Sequence, residues 1–159
     1  MKRRLILAVV LAIGASTLSA MGTTEGDLRD TWFNAFPSNH VDDMVGRVTW
    51  DSVTFSTNRL VSWTWEREGK KESHSGHYSL HPEPGDKAEF KPNTTIVIIA
   101  TTLAVRRPIV LKDVEVDQDN RFPVEWPVLK CKDVGDNRMV FLREKNHKER
   151  RTTGGTVRR

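Results

Sequence analysis

The chain has 159 residues, with 25 Lys plus Arg against 21 Asp plus Glu and one cysteine. That length suits one domain with its own core, and the lone cysteine excludes an intramolecular disulfide, so packing alone must hold the fold. The basic excess sits at the two ends: residues 143–159 carry seven basic and two acidic side chains, and residues 21–142 carry 15 basic against 19 acidic, which excludes a basic globular surface for nucleic acid.

Lys2, Arg3 and Arg4 precede an apolar run over residues 5–13, and Leu18-Ser19-Ala20 supplies small residues for cleavage. This is the layout of a secretory signal peptide, so residues 1–20 are expected to be removed and the protein to be periplasmic or secreted. The run is about half the ~20 apolar residues that a membrane span requires, so no spanning segment is expected after cleavage. No cysteine follows the run, which argues against a lipid anchor.

Leu28, Trp32 and Phe36 recur every four residues, which predicts a short N-terminal helical segment or a loop entering a first strand at Trp32. From Arg47 the period becomes two. Val53 and Phe55 alternate with Ser52, Thr54 and Ser56. Val61, Trp63 and Trp65 alternate with Ser62, Thr64 and Glu66, and Glu68-Gly69-Lys70 turns the chain into a partner strand over residues 71–80. After a Pro- and Gly-rich loop over residues 82–92, the β-branched run 94–105 reads as a buried strand. Residues 109–116 alternate again. Residues 121–132 form a candidate strand interrupted by Pro123 and Pro127, and residues 138–144 a last strand after the Gly135-Asp136-Asn137 turn. From Lys145 the chain is basic and lacks periodicity, so residues 145–159 are expected to be a disordered basic tail. The fold class is all-β: residues 21–144 form an antiparallel meander of seven or eight strands, closing wholly or partly into a barrel.

His74, His77 and His81 form the densest group of metal-capable side chains. On a strand His77 and His81 share a face and His74 takes the other, so no metal is expected there. His40 with Asp42 or Asp43 has the composition of an acid/base group, but no nucleophile motif accompanies it, and a capped turn explains it equally. No phosphate-binding glycine loop, dinucleotide fingerprint or calcium loop occurs, so neither a cofactor nor an enzymatic activity is expected. Cys131 alternates with lysines in Val128-Leu129-Lys130-Cys131-Lys132 and is expected to be buried. Trp63 and Trp65 share a face with Val61, with Trp50 one strand earlier. This is either an aromatic lining for an apolar ligand or a core of large side chains.

An exported chain with Trp32 just after a short N-terminal segment, Gly76-His77-Tyr78 on one hairpin, and Phe141-Leu142-Arg143 on the last strand resembles the small bacterial lipocalin-like proteins over residues 28–144. The resemblance implies that Trp32 packs against Arg143 to close the barrel, and that a cavity takes a small apolar molecule. Asp30 stands where that family has glycine, and the family's middle motif is missing. The expected function is therefore non-enzymatic binding of a small apolar ligand in the cell envelope, with Val53, Phe55, Val61, Trp63, Trp65 and Tyr78 as the inward set. The alternative is a protein-interaction or inhibitor module with a filled barrel, acting through the 82–92 loop or the basic tail.

Overall fold

The computed structural model describes residues 23–36, 40–43, 46–84, 89–102, 105 and 107–152. The chain runs through α1 (Glu25–Leu28), β1 (Thr31–Asn34), β2 (His40–Asp43), β3 (Gly46–Phe55), a 3-10 turn at Thr57–Arg59, β4 (Leu60–Arg67), β5 (Lys70–His81), β6 (Thr95–Ala100), β7 (Ile109–Asp117), β8 (Val128–Lys132), β9 (Arg138–Arg143) and α2 (Glu144–Thr152).

Consecutive strands from β3 to β9 pair antiparallel, and β1 bonds to both β9 and β3, which closes the ring. β2 continues the line of β1 along β3: Thr31 faces Thr54 and Phe33 faces Ser52, then His40 faces Thr49 and Asp43 faces Gly46. The result is an all-β barrel of eight antiparallel positions, an architecture consistent with the lipocalin-like resemblance. Tight turns set its register. Glu68 and Gly69 have φ of 50° and 76° between Arg67 and Lys70, as a two-residue hairpin whose twist matches its strands requires. In the β8–β9 turn the buried Asp133 carboxylate accepts from the backbone and the side-chain amide of Asn137, both at 2.8 Å. β6 approaches β5 closely at Gly76, where a Cβ would lie 2.2 Å from the Ile99 carbonyl oxygen.

The two ends of the barrel differ. At the lower end α1 starts in a capping box, with the Asp27 carboxylate accepting from the Thr24 amide at 2.8 Å and Thr24 Oγ1 accepting from the Asp27 amide at 3.3 Å. Leu28 is fully buried, and its carbonyl accepts from Trp32 Nε1 at 2.8 Å. Glu25 accepts from the Tyr78 hydroxyl at 3.0 Å, and Arg59 reaches both Glu25 (3.5 Å) and Glu83 (2.6 Å). Thr23 and Val116 are joined through the Thr23 hydroxyl, which accepts from the Val116 amide at 2.8 Å. These contacts stopper the lower end. Connections β4–β5 and β8–β9 and residues 101 and 102 lie at the other, upper end.

A second apolar cluster lies outside the barrel wall. Ala35, Trp126, Val128, Val140 and Leu142 pack there with Phe36 and Phe122. Residues 145–159 were expected to be disordered; instead residues up to Thr152 form α2 and dock beside this cluster, and residues 153–159 lie outside the described residues. His147 stacks on Phe33 with ring centroids 5.0 Å apart. Arg150 donates to the Ala35 carbonyl at 2.6 Å and sits over the rings of Phe36 (5.2 Å) and Phe122 (5.5 Å). The expected strand over residues 121–132 is shortened to β8, because residues 118–127 leave the sheet to cover this cluster. The short N-terminal helix is α1, and Trp32 lies on β1 rather than on a helix. Among the described residues no helix is long and apolar enough to cross a membrane.

Candidate functional site

Strand alternation builds the barrel lining. On β4 it turns Val61, Trp63, Trp65 and then Arg67 inward; on β5 the inward series is Glu72, His74, Gly76, Tyr78 and Leu80. β3 carries a bulge at Asp51, since Trp50 faces Trp65 while Ser52 faces Thr64. The extra residue lets Trp50 and Val53, three positions apart, both point inward. The Trp50 carbonyl at the bulge is satisfied by Asn34 Nδ2 at 2.8 Å.

Six residues proposed from the sequence as the inward set are all buried, and the structure divides them between two levels. Val53, Phe55, Val61 and Tyr78 occupy the middle and stoppered lower end, where Phe55 and Tyr78 meet edge-on at 5.2 Å and Tyr78 is tied to Glu25. Burial and the bond to Glu25 push the Tyr78 hydroxyl pKa well above its ordinary value. Leu80, Ile96, Ile98, Leu111, Leu129 and Phe141 fill the space between them, each no more than 2% exposed. Trp63 and Trp65 stand higher, with Trp50. Their ring centroids lie 5.6 to 6.5 Å apart, Trp65 being edge-on to Trp50.

A polar group crowns the tryptophans. Glu72 Oε2 accepts from Trp65 Nε1 at 3.0 Å, lies 3.3 Å from His74 Nε2, and lies 3.4 Å from Arg67 Nη2. The indole hydrogen bond, with support from His74 and Arg67, holds the Glu72 carboxyl below the usual carboxylate range against the opposing cost of burial. His74 lies against Trp65 (5.1 Å) and Trp63 (5.5 Å), its side chain only 7% exposed, and Thr102 Oγ1 is 3.5 Å from its Nδ1. The Arg67 guanidinium lies 5.5 Å from the Trp65 ring centroid. Four donors in this group are buried without a hydrogen-bond acceptor: Trp50 Nε1, Trp63 Nε1, and Nε and Nη2 of Arg67.

The remaining sequence candidates lie elsewhere. His77 and His81 are on the outer face, His81 Nε2 at 2.9 Å from Ser79 Oγ, so the three histidines do not converge. Among the described residues no group of three metal-capable side chains is present. His40, Asp42 and Asp43 form β2, and their side chains lie outside the described residues. Trp32 and Arg143 face each other across β1 and β9, with the guanidinium 5.3 Å from the indole centroid and its Nε 3.2 Å from Asp30. Cys131 is buried in the core, and burial pushes its thiol pKa up to about 12. A cleft of about 500 Å³ lies at the β7 bulge, lined by charged residues such as Lys91, Asp113, Lys130 and Lys132 and by the core residues Val114 and Cys131. Two of its lysines are paired in place, Lys132 with Asp113 at 2.7 Å and Lys130 with Asp117 at 3.1 Å.

Sequence reasoning found Trp63 and Trp65 and noted Trp50, but missed Arg67, Glu72 and His74 as one group. The available signal was the Glu68-Gly69 turn, which fixes Trp65 opposite Glu72 and Trp63 opposite His74. No protein family, curated protein or solved structure matches this chain.

Proposed function

We propose that this protein is an exported, non-enzymatic binding barrel that takes a small, largely apolar molecule at its upper end, against Trp50, Trp63 and Trp65. The observation that carries the reading is the pair of buried indole N–H groups, on Trp50 and Trp63, without acceptors. A core built only for packing gains nothing from donors it cannot satisfy, and each such donor costs about 1–3 kcal/mol. A bound molecule with an acceptor would remove that cost and would bury its body on the indole faces. Native mass spectrometry of the mature protein purified from its own host tests this. A stoichiometric small molecule is the expected result. A clean apo mass, together with no heat on titration with naphthalene-sized probes, would refute it.

The filled middle and lower interior favours a second reading, a protein-interaction module. The outer wall of β4–β6 presents Leu60, Ser62, Ser75, His77, Ser79 and Ile99, with Leu60, His77 and Ile99 in one cross-strand row, on a chain otherwise rich in charge. Such a surface suits a partner better than a ligand-free monomer. Partner capture on this face, lost on Ile99→Lys, with no small molecule bound, would select this reading over the first.

A further inference from the structure

The two unsatisfied nitrogens of Arg67 are Nε and Nη2. These lie on one edge of the guanidinium and form the fork that grips a carboxylate through two parallel hydrogen bonds. Glu72 does not occupy that fork: its Oε2 is 3.4 Å from Nη2 without making a hydrogen bond, and it already accepts from Trp65. Both fork nitrogens are buried, although the side chain as a whole is 25% exposed. Trp50 Nε1 and Trp63 Nε1 are two further buried donors without an acceptor, on rings that pack against each other, Trp63 also lying against His74. Among the described residues, the buried side-chain polar atoms at this end that lack a hydrogen-bond partner are donors, and an arginine fork is among them.

We infer that the ligand is a planar aromatic carboxylate, its carboxylate on the Nε/Nη2 fork of Arg67 and its ring against the tryptophans. This rests on the binding-barrel reading and specifies its ligand class. A carboxylate is the smallest group that accepts two parallel hydrogen bonds from one guanidinium edge, and it has lone pairs left for an indole N–H. The Glu72 charge opposes a second anion less than its proximity suggests, because Trp65, His74 and Arg67 all lie around its Oε2. A planar ring fits the aromatic pairs already present, which meet edge-on and tilted at 5.1 to 6.5 Å around Trp50, Trp63, Trp65 and His74.

The experiment is isothermal titration calorimetry of the mature protein with 2-naphthoate and with its neutral isostere 2-naphthamide. The expected result is 1:1 binding of the naphthoate, at least tenfold tighter than the amide. Arg67→Met should remove that preference, bringing the affinities of the two probes together. Arg67→Lys, which keeps the charge and loses the fork, should remove most of it. Circular dichroism and the melting temperature of both variants establish that they are folded. Equal binding of the two probes overturns the carboxylate inference and leaves the binding barrel standing. A preference that survives intact in Arg67→Lys overturns the role of the fork. Binding of neither probe overturns both.

Discussion

Replacing Arg150 with alanine asks whether α2 belongs to the folded body. In the structure Arg150 Nη1 donates to the Ala35 carbonyl at 2.6 Å, and the guanidinium lies 5.2 Å from Phe36 and 5.5 Å from Phe122. A hydrogen bond from a charged donor contributes about 1.5–3 kcal/mol. Each partly exposed cation–π contact adds about 0.5–1 kcal/mol. Against this stand the burial of the charge and the repulsion of Arg121, which lies over the same Phe36 ring at 4.7 Å; both lower the Arg150 pKa. Alanine also has the higher helix propensity, by a few tenths of a kcal/mol. The net expectation is a loss of about 2 kcal/mol, which for a domain of this size is a fall in melting temperature of roughly 6 °C. Urea unfolding followed by tryptophan fluorescence measures it, with the slope unchanged and the midpoint lowered. The control is Lys148→Ala, which removes an exposed i,i+4 pair with Glu144 and should cost under about 0.5 kcal/mol. If Arg150→Ala is as mild as the control, α2 is not docked and the derivation from these contacts fails.

Glu72→Gln should cost about 1 kcal/mol at neutral pH, because the Trp65 indole then donates to a neutral acceptor. The Glu72 pKa is lowered in the folded state, so its contribution is full above the unfolded carboxyl value of about 4.3 and disappears as pH falls through the folded value. Thermal melts from pH 6 to pH 3 should therefore decline more steeply for the native protein than for Glu72→Gln, and parallel curves would contradict the coupling. Gly76→Ala drives a methyl into the Ile99 carbonyl and should cost about 2–3 kcal/mol, read as a shifted urea midpoint; an unchanged midpoint would mean that β6 yields freely. The Cys131 thiol, buried and raised to about 12, should stay inert to a soluble disulfide reagent at pH 8 until the protein is unfolded in urea. Rapid labelling of the native protein would show that the wall opens at β8.

The β4–β5 hairpin was legible because period-two alternation and a Glu-Gly turn fix both face and register; Trp63 and Trp65 point inward as the pattern requires. The bulge at Asp51 was not legible, since one extra residue shifts the phase of β3 without any compositional signal. α2 was hidden for a different reason. The segment is polar throughout, its only buried residue is Asn146, and it is held by His147 and Arg150 on aromatic rings rather than by an apolar stripe. The upper site was partly legible. Histidine spacing groups His74 with His77 and His81, which face outward, whereas His74 gains its place from Trp63, Trp65 and Glu72 on either side of the hairpin. That grouping depends on depth along the barrel axis, which alternation alone does not encode.

Closure of the ring through β1 and β9 also sets how the chain reaches its fold. Trp32 pairs with Arg143, more than a hundred residues later. The neighbouring hairpins form over short loops, but the final seam must meet the loop-closure entropy of nearly the whole domain before it gains any contact. Refolding in milliseconds to seconds is expected from that topology rather than in microseconds. The ring therefore closes only once β9, ending at Arg143, is available to pair with β1.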